Sequence, residues 1–329
     1  MPPHVSVIHN RVDLRSRPIS YLAQCARAAA TLVRSRPDVF HLQYTPTTSG
    51  PAALGLILLA RLLGARTFIT CHERPSTYAR ALPAFARPPY RAFERMLLRL
   101  AERVFVLSAV HEAELVRAYG VRPRLVHLGV REEARGGTRH VAGPTLTFAG
   151  FLRPQKGLED IVEAAPVIAR RVGGIHVQIV GAVAPRDRAY VNDLRRRIAD
   201  IEQQEGCEIA LIEDVADEEF ERRVLDSDLF VFPSRSASQS ITLNLVLEGR
   251  IPVVSAAGTG VAEIVDRYEL GVVYPPGDSQ ALSRVAADLL LDVNRYHSCQ
   301  SNIARFARLT GWRAVSQQHA DDYEESRAA

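Results

Sequence analysis

Residues 148–157 read Phe-Ala-Gly-Phe-Leu-Arg-Pro-Gln-Lys-Gly. An apolar run ends at Gly150, a short loop carries Arg153 and Lys156, and helical periodicity begins after Gly157. Glycines let a backbone approach a ligand closely, and cations beside a helix terminus suit a diphosphate. Lys156 is also the single lysine in a chain whose lysines and arginines total 41. We therefore predict a diphosphate-binding loop here; an ordinary basic strand-to-helix loop is the alternative.

Short apolar runs alternate with helical segments on both sides of this loop. Strands are predicted at residues 5–9, 39–44, 67–71, 104–108, 125–128, 145–149, 175–180, 208–212, 229–232, 253–255 and 272–274. Helices are predicted at residues 21–34, 52–63, 90–102, 109–119, 158–171, 190–201, 218–225 and 301–325. This alternation predicts an α/β protein with two doubly wound, Rossmann-like parallel sheets. Ligands bind such sheets at the carboxyl ends of their strands, so we expect a site in the cleft between two domains.

The polar, glycine-rich residues 134–144 predict a linker. It would separate a first domain, residues 1–133, from a second domain, residues 145–305. Residues 306–329 are expected to form a helix that crosses back toward the first domain, with a simple surface helix as the alternative.

Composition excludes several protein classes. The 329 residues are 47% hydrophobic and 24% charged, as in ordinary globular proteins. The longest apolar stretch, residues 52–63, falls short of the about 20 residues that a spanning helix needs. We expect no secretory signal peptide. The four cysteines, Cys25, Cys71, Cys207 and Cys299, show no disulfide or zinc spacing, which predicts a cytoplasmic location and no cofactor.

The net charge of the chain also indicates which kinds of partner it binds. The net charge of +4 favours an anionic ligand or a membrane surface, and no nucleic-acid motif is present. Residues 90–103 are basic and amphipathic, so they predict either peripheral membrane contact or a core helix. The oligomeric state stays open.

Two further segments carry binding chemistry. Residues 232–244 run from a strand through a hydroxyl-rich turn into an apolar helix. Free backbone N–H groups at that helix start, with Ser240, Ile241 and Thr242, can hold an anion; plain N-capping is the alternative. Residues 258–263 and 271–278 have turn chemistry at strand ends.

In order and spacing these segments resemble the GT-B glycosyltransferases of family 4, the glycosyl transferases of group 1. The resemblance is carried by residues 37–41, 70–73, 104–108, 150–157, 228–234, 252–254, 263–265 and 271–278. It implies that the second domain binds a nucleotide diphosphate sugar and the first an acceptor.

The resemblance also implies roles for single residues. Gly150, Arg153, Lys156, Ser240, Ile241 and Thr242 would bind the donor diphosphate; Ser236, Asn244, Thr259, Gly260 and Glu263 would contact the nucleoside or sugar. His72 and Glu73 follow a strand of the first domain, so they would face the cleft as candidate catalytic residues, with His72 near an outer hydroxyl of the donor sugar. Asp13 is the candidate base if the reaction inverts the anomeric carbon.

The chain departs from the family pattern at two places. Phe151 stands where the family has an arginine, and Arg153 can supply that charge. Both carboxylates of the Glu-x7-Glu pair are absent. One alignment puts Ala237 and Leu245 there; the preferred one puts Ser236 and Asn244 there, because an asparagine amide can hydrogen-bond a ribose.

The expected activity is metal-independent transfer of a hexosyl or uronosyl group from a nucleotide sugar, with UDP-sugars favoured, to a small molecule of secondary metabolism such as antibiotic biosynthesis. One form is transfer of a uronate to a nucleobase, similar to cytosylglucuronate synthase; aminocyclitol and lipid acceptors are alternatives. Residues 226–228, Asp-Ser-Asp, are interpreted as structural rather than metal-binding. A non-catalytic sugar-nucleotide-binding module and a nucleotide-sugar epimerase remain alternative functions.

Overall fold

The computed structural model describes residues 18–46, 52–73, 79, 82–136, 143–201, 207–235 and 240–328. The chain divides into two compact units. The first comprises Met1–Val126 and Asp322–Ala329, and the second comprises His127–Asp321.

The described part of the first unit contains a four-stranded parallel sheet with strands in chain order. Its strands are β1 Val39–Tyr44, β2 Arg66–Cys71, β3 Arg103–Val106 and β4 Arg124–Leu125. Its helices are α1 Pro18–Ser35, α2 Ala52–Leu62, α3 Arg87–Arg99 and α4 Ala109–Tyr119, with a 3-10 turn Ala84–Ala86 before α3. The strand predicted at residues 5–9 lies outside the described residues.

Local chemistry sets the ends of α4. The Ser108 hydroxyl accepts a hydrogen bond from the His111 backbone N–H at 3.3 Å, and so caps the helix start. Gly120 ends the helix with φ 66°, a left-handed conformation that glycine adopts without steric cost. Both features follow the sequence prediction for this segment.

The second unit contains a six-stranded parallel sheet. Its strands are β5 Thr145–Ala149, β6 Ile175–Gly181, β7 Cys207–Glu213, β8 Leu229–Phe232, β9 Val253–Ala256 and β10 Gly271–Tyr274. Its helices are α5 Leu158–Val172, α6 Arg188–Ile201, α7 Asp217–Leu225, α8 Ile241–Glu248, α9 Gly260–Arg267, α10 Ser279–Leu291, α11 Val293–Leu309 and α12 Trp312–Ala328. Two parallel α/β sheets confirm the predicted fold class.

Strand order decides where a ligand can bind in the second unit. The order is β10-β9-β8-β5-β6-β7, so the chain leaves β5 toward β6 on one side and returns to β8 on the other. At this reversal, the loops after β5 and β8 are far apart in sequence but leave the sheet side by side. Such a switch point forms a crevice outside the carboxyl ends of the strands.

The C-terminal segment differs from the single helix predicted over residues 301–325. Helix α11 ends at Leu309, and α12 begins at Trp312. The end of α12 belongs to the first unit, where Asp322 accepts a hydrogen bond from Arg124 at 2.5 Å and also pairs with Arg103. His41 Nδ1 lies 2.5 Å from the Tyr323 hydroxyl.

Candidate functional site

The loop after β5 lies against the end of β6. The Gly150 backbone N–H donates to the Val180 carbonyl at 2.9 Å, and Leu152 N–H donates to the Ala182 carbonyl at 3.0 Å. A Cβ added to Gly181 would lie 1.6 Å from the Gly150 carbonyl oxygen. Only glycine therefore permits this approach of the two backbones.

Lys156 ends a single 3-10 turn, Pro154–Lys156, directly before α5. Gly157 follows with φ 64°, and an added Cβ there would lie 2.8 Å from the Pro233 carbonyl oxygen. Pro233 belongs to the loop after β8, and the Arg235 backbone N–H in that loop donates to the Gln155 carbonyl at 3.4 Å. The two loops at the switch point are thus in direct contact.

Lys156 and Arg153 form a cationic pair at this point. Burial and the charge of Arg153 both lower the pKa of Lys156. The Nε of Arg153 is buried and has no hydrogen-bond partner among the described residues. Two neighbouring positive charges, one of them with an unused N–H donor, make a site that a bound anion would stabilise.

The sequence prediction missed an ionic cluster behind this loop. Arg235 bridges Asp160 at 3.3 Å and Glu159 at 3.1 Å, and Asp160 also accepts from the Gly277 backbone N–H at 3.1 Å. The Asp160 side chain is only 3% exposed. These contacts join the first turn of α5 to the loops after β8 and β10. The available signal was an acid at a buried position of the apolar stripe of α5.

The start of α8 carries three predicted diphosphate contacts. Ser240 is its N-cap, but its side chain makes no capping hydrogen bond. Ile241 is 82% exposed and Thr242 is half-buried. The Ser240 side chain therefore does not cap α8, and the Leu243 backbone N–H donates to the Ser240 carbonyl at 3.0 Å. Anion binding at Ser240, Ile241 and Thr242 stays a prediction. Ser236 lies outside the described residues.

Asn244 has a structural partner that the sequence did not reveal. Its Nδ2 donates to the Gly129 carbonyl at 2.7 Å. The side-chain carbonyl oxygen of Asn244 is left to accept a hydrogen bond from a ribose hydroxyl. The contact between Asn244 and the nucleotide sugar stays a prediction.

Thr259 also has a structural task. Its hydroxyl accepts from the Ala262 backbone N–H at 3.0 Å and lies 3.2 Å from the Ala256 carbonyl, so it caps α9. Gly260 begins α9 and is buried, and Glu263 is half-buried. Burial and the charge of Arg267 lower the pKa of His127, and Glu263 only partly offsets this shift. Nucleotide contacts at Thr259 and Gly260 would use their backbone groups.

His72 and Glu73 follow β2 in the first unit, as predicted. The His72 Nε2 lies 2.8 Å from the Gln43 side-chain oxygen, and its backbone N–H donates to the Tyr44 carbonyl at 3.0 Å. Burial lowers the pKa of His72, which favours the neutral imidazole. Glu73 is half-buried, and Asp13 lies outside the described residues.

Residues 226–228 lie before β8, at the amino edge of the sheet. Asp228 Oδ2 accepts from the Thr145 backbone N–H at 2.8 Å, and Ser227 donates to the Thr147 hydroxyl at 2.6 Å. These hydrogen bonds join β8 to β5 and give the segment a structural role. Within the described part of the chain, no cluster of three or more His, Cys, Asp or Glu side chains could hold a metal ion.

Comparison with known protein families agrees with this geometry. A family model described as glycosyl transferases group 1 matches residues 130–306, more than half of the chain, and a glycosyl transferase 4-like domain matches residues 1–129. The chain belongs to the glycosyl transferases group 1 family. This confirms the resemblance drawn from sequence; the replacement of the Glu-x7-Glu pair by Ser236 and Asn244 stays a prediction.

Relatives within the group 1 family are distant. The GDP-mannose-dependent alpha-(1-6)-phosphatidylinositol monomannoside mannosyltransferase of Mycolicibacterium smegmatis is 26% identical over 72% of this chain. This chain spans 64% of that enzyme's length. The D-inositol 3-phosphate glycosyltransferase of Saccharomonospora viridis is 25% identical over 72% of this chain and 58% of its own.

Solved structures show the same fold at lower identity. HepE of Anabaena, solved in complex with UDP, has a TM-score of 0.73 at 17% identity and covers 92% of this chain and 82% of its own. Sucrose-phosphate synthase of Thermosynechococcus elongatus has a TM-score of 0.72 at 18% identity, covering 95% and 80%. In the described ranges, every helix is too short or too polar to cross a bilayer.

Proposed function

We propose that this chain transfers a glycosyl group from a nucleotide diphosphate sugar to a small-molecule acceptor. The observation that carries the proposal is the cationic pair of Lys156 and Arg153 at the switch point of the second unit. Membership in the glycosyl transferases group 1 family supports the same activity.

The pair would act on the leaving group. When the glycosidic bond to the diphosphate breaks, negative charge builds on the departing β-phosphate. Lys156 supplies a compact charge and Arg153 a planar fork of donors. Preorganised cations of this kind can do the work that a metal does in other sites, so we propose that the reaction needs no metal.

The donor base is proposed to be uracil. HepE of Anabaena, whose fold this chain shares, was solved with UDP, which supports this choice. The mannosyltransferase of Mycolicibacterium smegmatis uses GDP-mannose by its name, so guanine is the competing base. The transferred group is proposed to be hexosyl or uronosyl. If Ser236 and Asn244 replace the family's carboxylate pair, fewer acids near the sugar would ease binding of an anionic, uronosyl donor.

The acceptor is proposed to be a small molecule of secondary metabolism bound by the first unit, with transfer of a uronate to a nucleobase as one form. His72 there holds a neutral imidazole that can hydrogen-bond a hydroxyl of the sugar. A lipid acceptor is the competing choice, supported by the mycobacterial relatives, which are named as phosphatidylinositol monomannoside mannosyltransferases. A cytoplasmic site of action fits both.

Nucleotide release tests this proposal. Purified protein is incubated with UDP- and GDP-sugars, with and without candidate acceptors and with EDTA, and free UDP or GDP is measured. We expect acceptor-dependent release of UDP that EDTA does not abolish. Turnover that EDTA removes and magnesium or manganese restores would refute metal independence while leaving transfer intact.

The same experiment separates the alternative functions. A sugar-nucleotide-binding module, favoured by the use of Asn244 in holding Gly129, would bind donor and release no nucleotide. An epimerase of the same fold would change the sugar without an acceptor. Either outcome overturns the transferase proposal.

A further inference from the structure

Helix α3 presents a row of arginines to the outside. Arg91, Arg95 and Arg99 recur every four residues along the helix, and all three are exposed. Side chains four apart share one helix face. Glu94, the only acid in α3, is 1% exposed and accepts hydrogen bonds from buried tyrosines in the interior. The outward face of α3 therefore carries positive charge alone.

These three arginines lack the pairing seen elsewhere on the surface. Among the described residues, none of Arg91, Arg95 and Arg99 forms an ion pair with a carboxylate. On α6, by contrast, Arg195, Arg196 and Arg197 each pair with an acid, namely Glu213, Asp193, or both Asp193 and Glu163. Unneutralised guanidinium groups in a row create a local positive potential that attracts an anionic partner.

Apolar side chains accompany the charges. Met96 lies on the same face and is 48% exposed, and Phe85, just before α3, is 83% exposed. Arg95, Met96 and Arg99 line an open depression of about 380 Å³. Guanidinium groups bind phosphate oxygens, while a thioether and a phenyl ring prefer an apolar environment. The combination fits the headgroup layer of a bilayer better than it fits a nucleic acid.

We propose that Arg91, Arg95, Arg99 and Met96, here named the arginine face, bind the surface of an anionic phospholipid bilayer. The apolar side of α3, including Leu97 and Leu98, is buried in the first unit's core, so the helix does not insert its apolar face into lipid. The sequence predicted either a core helix or a membrane contact for this segment. The buried side of α3 packs as a core helix does, and we propose the membrane contact for its exposed side. Binding is therefore mainly electrostatic, and it does not depend on the proposed glycosyl transfer.

Vesicle sedimentation tests the arginine face. The full chain is mixed with vesicles of phosphatidylcholine alone or with phosphatidylglycerol, at low and high salt. We expect binding to the anionic vesicles that weakens steeply as salt rises. Each arginine near an anionic leaflet strengthens partitioning about fivefold, so Arg91→Ala/Arg95→Ala/Arg99→Ala should bind roughly 100-fold more weakly.

The matched control removes the same charge elsewhere. Arg195→Ala/Arg196→Ala/Arg197→Ala loses three arginines that are paired with acids, and we expect at most a small loss of vesicle binding. Circular dichroism and UDP binding report whether each variant is folded. Equal loss in the two triple variants, no binding by the unaltered chain, or stronger binding to an RNA or DNA oligomer than to vesicles would overturn the proposal. Failure of transferase activity would leave the vesicle result unaffected.

Discussion

Replacing Lys156 by methionine should weaken binding of a nucleotide diphosphate. Methionine keeps an unbranched apolar stem of similar length but removes the charge. A hydrogen bond to a charged group contributes about 1.5–3 kcal/mol. With about 1.4 kcal/mol per factor of ten, the dissociation constant of UDP should rise roughly 10- to 150-fold.

The structure favours the upper part of that range. In the free protein, burial and the charge of Arg153 disfavour the charged form of Lys156, and the negative charge of a bound diphosphate would offset both effects. The pKa of Lys156 is lowered in the free protein and should rise when a diphosphate binds. Binding should thus take up protons at alkaline pH, and UDP affinity should fall as pH rises through the free-protein pKa.

Titration calorimetry in two buffers of different ionisation enthalpy, repeated over a series of alkaline pH values, measures both effects. We expect proton uptake with the unaltered chain and none with Lys156→Met. Lys156→Arg serves as the control for charge alone, and it should recover only part of the affinity because a planar fork does not replace an ammonium. A dissociation constant for Lys156→Met within threefold of the original, or unchanged proton uptake, would refute this reasoning.

Three further predictions concern stability and the donor site. Gly181→Ala forces a Cβ to 1.6 Å from the Gly150 carbonyl oxygen, so we expect a loss of about 1–3 kcal/mol in unfolding free energy and weaker UDP binding. The control is Gly55→Ala, whose added Cβ meets nothing within 4 Å and should change neither property. Urea titration measures the stability and calorimetry measures the UDP binding. Asn244→Ala should raise the donor Michaelis constant several-fold and lower the unfolding free energy by about 1 kcal/mol. Asn244→Asp should be less stable still, because a carboxylate cannot donate to the Gly129 carbonyl as the amide does. A variant as stable as the original chain would contradict this hydrogen bond. Burial raises the pKa of Glu94 above 4.5, so its contribution to stability is complete below the unfolded-state pKa and is lost as pH rises through the folded-state pKa. The difference in unfolding free energy between the original chain and Glu94→Gln should therefore shrink as pH rises. Denaturant titrations over a pH series measure this difference, and a constant value would argue against the prediction.

Local sequence determined the elements of this protein. The alternation of apolar runs predicted the strands of the second unit closely, as at Thr145–Ala149 and Leu229–Phe232, whereas the helices Gly260–Arg267 and Ser279–Leu291 were not predicted. Caps such as Ser108 and Gly120 were readable because they depend on neighbours within a few residues. The loop from Gly150 to Gly157 was recognisable because glycine and a single lysine are unusual at fixed places.

Contacts between distant segments had to come from tertiary structure. Asn244 was expected to face a ribose, yet its amide donates to Gly129, 115 positions away in sequence. Arg235, Asp160 and Gly277 meet because the strands are parallel, so the first turn of α5 and the loops after β8 and β10 lie at the same, carboxyl edge of the sheet. Similarly, α3 is amphipathic by sequence, but only packing decided that its leucines face the core and its arginines face outward. Periodicity fixes which residues share a face, whereas the identity of the partner depends on long-range packing that no local pattern encodes.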